Sequence, residues 1–93
     1  MVVYYHPVED IVNGTVGEFI SASSYDEAIQ QLPHGHYLYA LYGGLLWEIA
    51  SYVDGKSEFD EIFYRFSDMI TFKLVALPEA EHKKALADAR LLR

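Results

Sequence analysis

Ninety-three residues, 52% of them apolar and 23% charged, suffice for one domain with a modest core and are too few for two. The absence of cysteine removes disulfide staples and thiolate chemistry, and a formal net charge of −7 argues against polyanionic ligands such as nucleic acid and acidic membranes. The one long apolar run, residues 37–53, falls short of about 20 residues and contains Glu48 and four tyrosines, so it does not predict a membrane-spanning helix.

Residues 1–5, β-branched and aromatic, predict a first strand that Pro7 ends, because proline donates no ladder hydrogen bond. Neither the basic nor the long apolar region of a secretory leader occurs in the first ten residues, so a cytoplasmic location is expected. Asn13-Gly14, flanked by Ile11-Val12 and Thr15-Val16, carries a hairpin-type turn signal, followed by a strand from about Thr15 to Ala22. Ser24 then caps a helix to Leu32, with Glu27 three residues on and Tyr25, Ala28, Ile29 and Leu32 on one stripe before Pro33.

Residues 36–53, HYLYALYGGLLWEIASYV, are the centre of the prediction. Gly43-Gly44 can supply the positive φ angles of a two-residue hairpin turn, which pairs Tyr42 with Leu45 and fixes every other partner. One face then carries Leu38, Ala40, Trp47 and Ile49 and reads as core. The other carries Tyr37, Tyr39, Leu41, Leu46, Glu48 and Tyr52, an amphipathic set expected to meet a partner.

Asp54-Gly55 signals another turn, and Ser57 with Asp60 predicts a helix to about Ser67 that buries Phe59, Ile62, Phe63 and Phe66. Residues 70–77 alternate as a strand, with Ile70, Phe72 and Leu74 on one side. Pro78 opens a last helix with Glu79 and Glu81 at its positive end and Arg90 and Arg93 at the other. Its apolar stripe, Ala85, Leu86, Ala89 and Leu92, is weak, which places it on the rim. The order ββαββαβα predicts a single α+β domain over residues 1–93, with helices packed on one face of a largely antiparallel sheet.

Little in the chain carries chemistry. His34 and His36 point the same way if extended and would supply two metal ligands, which keeps a metal-dependent enzyme as an alternative. Glu79-x-x-His82 has the i, i+3 spacing of carboxylate-bridged metal bundles in a single copy, and the charges around it mark a solvated helix face. A nucleophile elbow and a glycine-rich phosphate loop are both absent from the sequence, so no catalytic residue and no cofactor is assigned.

Charge is the informative feature. Residues 1–55 contain no Lys or Arg and seven acids, Glu9, Asp10, Glu18, Asp26, Glu27, Glu48 and Asp54, whereas residues 56–93 balance seven acids with seven bases. Seven of the eight tyrosines also fall in the first 55 residues. The expectation is a small non-enzymatic binding protein that docks on a basic surface of another protein, without binding nucleic acid or membrane itself. Inhibitors and immunity proteins that imitate a polyanion, including phage-encoded antagonists of bacterial defence, have this character. Tyr37, Tyr39, Glu48 and Tyr52 would make contact, while Glu9, Asp10, Glu18 and Asp54 would steer the encounter. A homodimer formed through the tyrosine face is the second alternative.

Overall fold

The computed structural model describes residues 4–49 and 54–91. Within them the order is β1 (Tyr4–Tyr5), α1 (Glu9–Val12), β2 (Glu18–Ile20), α2 (Tyr25–Gln31), β3 (His36–Tyr42), β4 (Leu45–Glu48), α3 (Gly55–Phe66), β5 (Lys73–Pro78) and α4 (Glu79–Leu91). The strands form one sheet in the order β1-β4-β3-β5-β2, and every pairing is antiparallel. The α+β class and the antiparallel sheet are as the sequence predicts.

The central hairpin has the expected register, with Tyr42 opposite Leu45, Leu41 opposite Leu46, Ala40 opposite Trp47 and Tyr39 opposite Glu48. Gly43 and Gly44 have φ of 61° and 75°, the doubly left-handed turn whose twist matches paired strands. β3 pairs with β5 on its other side, from His36 opposite Pro78 to Leu41 opposite Lys73, so it is the middle strand of the five.

The helices, expected on one face, divide between the two. Ala28 of α2 and Phe59 and Ile62 of α3 pack on Leu38, Ala40, Tyr42, Ile49 and Leu74. Ile11 of α1 and Ala85 of α4 pack on Tyr39, Leu41, Leu46, Val75 and Leu77. The reason lies in β3 and β5, whose successive residues from Leu38 to Tyr42 and from Leu74 to Leu77 are all buried. A strand apolar on both sides needs cover on both, as in sheets enclosed by helices.

Four local expectations change for identifiable reasons. Asn13-Gly14 ends a short helix instead of turning a hairpin: Gly14, at φ 77°, donates to Ile11 O at 3.1 Å, and Thr15 N donates to Asp10 O at 2.9 Å. That bond pair is the Schellman cap, and a positive-φ glycine serves it as well as it serves a hairpin. The strand expected from Thr15 is confined to β2. The cap of α3 is Asp54, whose carboxylate accepts from Ser57 N at 3.3 Å, so this helix begins before Ser57. Phe72 N donates to Met69 O at 3.0 Å, and this turn holds Ile70, 95% exposed, out of the ladder, so β5 starts at Lys73. Tyr52 lies outside the described residues.

Candidate functional site

The face expected to meet a partner is covered by the chain's own last helix. Tyr39 is fully buried and Glu48 is 5% exposed, while Tyr37 is half-buried. His82 of α4 descends onto them. Its Nδ1 is hydrogen-bonded to the Tyr39 hydroxyl, its ring stacks on Tyr37 with centroids 3.7 Å apart, and Glu48 Oε2 lies 3.8 Å from Nδ1. Burial pushes the His82 imidazole below its ordinary value, against the opposing pull of Glu48 and Glu79, so the ring is held neutral near pH 7. Tyr39 and Glu48 are therefore interior residues and not docking contacts, which corrects the assignment made from sequence. The rim position expected for α4 is corrected by the same contacts. The charges around His82 predict a solvated position, yet with Ala85 it supplies the buried side of α4, because a hydrogen-bonded imidazole can enter a core that an unpaired one cannot.

The four steering acids also separate in space. Glu9 and Asp10 are exposed on α1, on the α4 side of the sheet, and Glu18 is exposed on the edge strand β2. Asp54 caps α3 on the opposite side. An excess of charge in the first 55 residues is thus not an excess on one side of the molecule.

The asymmetry reappears between the helical layers. α2 and α3, counted with the Asp54 cap, carry six acids, Asp26, Glu27, Asp54, Glu58, Asp60 and Glu61, against Lys56 and Arg65. In α4 three acids face three bases, and Glu79 pairs with Lys83 and Glu81 with Lys84, each at 3.4 Å. In the α2–α3 layer Arg65 pairs with Glu61 at 3.4 Å, the one ion pair there among the described residues. Of the residues singled out from sequence, only Asp54 belongs to this layer. Of the other five, Asp26, Glu27, Asp60 and Glu61 are exposed and Glu58 is half-buried, helix positions whose ordinary reading is solubility, and their shared layer depends on α2 and α3 crossing the same face.

Tyr42 stands at the end of this layer. Its ring stacks on Trp47 at 4.9 Å and on Phe66 at 4.1 Å, and the residue is 7% exposed. The Tyr42 hydroxyl makes no hydrogen bond among the described residues. It borders a cleft of about 200 Å³ lined by Glu58, Glu61, Ile62, Arg65 and Phe66. Burial first, then the negative fields of Glu58 and Glu61, push the phenol up to about 12, with Arg65 pulling the other way. The hydroxyl is thus a protonated donor in a negative cleft at any physiological pH.

No protein-family model, curated protein or solved structure matches the chain.

A cleft of about 400 Å³ at the hairpin end, lined by Pro7, Val12, Leu41, Tyr42, Gly44, Ile70, Thr71 and Lys73, is mostly apolar. His36 Nδ1 lies 3.1 Å from the backbone oxygen of His34, so that one ring nitrogen is engaged within its own loop. Among the described residues no three His, Cys, Asp or Glu side chains gather as metal ligands, and no helix is long and apolar enough to cross a membrane.

Proposed function

We propose that this protein is a non-enzymatic binding module whose α2–α3 layer docks on a basic surface of another protein, in the manner of an inhibitor or immunity protein that imitates a polyanion. It would act in the cytoplasm. The observation that carries this reading is the six-to-two excess of acids in the α2–α3 layer, set against α4, whose composition is balanced and whose Glu79 and Glu81 are paired with Lys83 and Lys84. A surface of one sign raises the encounter rate with partners of the other and suppresses binding of polyanions. The place of docking differs from the one read in the sequence, because Tyr39 and Glu48 are interior.

The test is calorimetric titration with a decaarginine peptide at about 50 mM and about 300 mM salt, conditions that bracket a Debye length of about 10 Å. Binding is expected at low salt and should weaken by at least about tenfold at high salt. The combined substitution Asp26→Asn, Glu27→Gln, Asp60→Asn should abolish it, whereas Glu79→Gln with Glu81→Gln should leave it unchanged. Equal loss from both sets would remove the assignment to the α2–α3 layer, and no binding at low salt would remove the reading altogether.

A further inference from the structure

The docking reading names a sign of charge but no chemical group, and the Tyr42 cleft supplies one. We infer that the cleft between Tyr42 and α3 is a socket for one arginine side chain of the partner, its guanidinium held by the Glu58 carboxylate and the Tyr42 hydroxyl against the Phe66 ring. This inference rests on the docking reading above.

Three observations converge on the guanidinium. The cleft holds two carboxylates and one cation, Glu58 and Glu61 against Arg65, so it is one positive charge short of neutrality. Arg65 is already engaged with Glu61 at 3.4 Å, while Glu58 makes no ion pair among the described residues. Tyr42 is 7% exposed as a residue, and its hydroxyl, which borders the same space, makes no hydrogen bond among the described residues. No buried side-chain polar atom among the described residues lacks a partner, so this hydroxyl opens onto the cleft, where its oxygen can accept from a ligand N–H.

The volume argues for a single side chain. At about 200 Å³ the cleft is below the range of roughly 300–1,000 Å³ typical of small-molecule and cofactor sites. Arginine suits it better than lysine, because the planar, weakly hydrated guanidinium lies flat on an aromatic ring and still presents several N–H donors to flanking oxygens. A bare metal ion fits poorly, since Glu61 is committed to Arg65 and Glu58 alone is too few ligands.

Trp47, the sole tryptophan, stacks on Tyr42 and gives a fluorescence readout of occupancy. Titration with Nα-acetyl-arginine amide should give a saturable change with a dissociation constant on the order of 1 mM, the range expected for so small a ligand. Tyr42→Phe keeps the ring stack and gives up no internal hydrogen bond, so the variant should unfold at the wild-type midpoint while binding at least about tenfold more weakly. Glu58→Gln, a substitution on the half-exposed surface of α3, should weaken binding by a similar factor. Nα-acetyl-lysine amide should bind at least severalfold more weakly than the arginine probe, and equal affinity would overturn the choice of arginine. Unchanged affinity in both variants, or no saturable signal in the wild type, would overturn the socket. If decaarginine still bound in a salt-dependent way in those cases, docking would stand without the socket. If decaarginine failed while the small probe bound at Tyr42 and Glu58, the socket would stand and the docking reading would fall.

Discussion

Tyr39→Phe removes one oxygen from the centre of the sheet and should be among the costlier single-atom changes in this chain. The phenol is bonded to His82 Nδ1, and both residues are buried. Its loss strands a buried imidazole nitrogen, and leaving one polar partner unsatisfied costs about 1–3 kcal/mol. For a domain of this size each 1 kcal/mol lowers the thermal midpoint by about 4–8 °C, so a central value of about 2 kcal/mol predicts a fall of about 10 °C. Glu48 Oε2, 3.8 Å from the same nitrogen, can move in and recover part of the loss, which makes the figure an upper estimate. The assay is urea unfolding of wild type, Tyr39→Phe, His82→Leu and the double variant. Removing both partners leaves neither member of the Tyr39–His82 bond without the other, so the double variant should be more stable than the sum of the single losses by at least about 1 kcal/mol. Additivity within about 0.3 kcal/mol, or a Tyr39→Phe midpoint equal to wild type, would refute the claim that this pair ties α4 to the sheet.

The remaining predictions concern acid, close packing and capping. Because burial lowers the folded-state pKa of His82 from 6.5, the unfolded chain takes up its proton first as pH falls. Stability contributed by neutral His82 is therefore present above pH 6.5 and lost as pH drops below it, with a slope of at most about 1.4 kcal/mol per pH unit. His82→Gln should flatten that part of the stability-against-pH curve, and an unaltered curve would show that another group governs it. In Gly55→Ala the new methyl would lie 2.9 Å from Ile49 O and 3.1 Å from the Tyr25 hydroxyl oxygen, so a loss of about 1–3 kcal/mol is expected in the unfolding midpoint. Asp54→Ala removes the acceptor for Ser57 N and should cost about 1 kcal/mol, with Asp54→Ser recovering most of it. Ile70→Ser, at a site 95% exposed, should change stability by less than about 0.5 kcal/mol, a result a strand residue facing the core could not give.

The central hairpin was legible because a glycine pair with one compatible turn geometry sets every cross-strand partner at once, and Tyr42 to Glu48 obeyed it. The stripe of α3 was legible for the same kind of reason, since Phe59 and Ile62 recur at helical spacing and are both buried. Asn13-Gly14 misled because one glycine conformation closes both a hairpin and a helix end. The tyrosine face misled more deeply. Its amphipathic pattern predicts a half-wet face, whereas the Tyr39 hydroxyl is matched by a histidine 43 residues away in sequence. A satisfied buried network and an exposed polar surface have the same composition, and only the partner's position separates them. The Tyr42 cleft left no local signal either, because Glu58, Glu61 and Tyr42 meet only once α3 has packed on the hairpin.

Residues 37–42, YLYALY, form an uncharged run without proline or glycine, the composition from which stacked cross-strand fibrils grow. In the native sheet that run is the middle strand, with β4 and β5 on its flanks and helices above and below. Its harmlessness is thus conditional on β5 and α4, both of which leave the ribosome after it. A chain arrested before residue 73 would expose its most self-adhesive segment, so stalled synthesis or clipping in the loop before β5 should yield insoluble material and not a weakened binder.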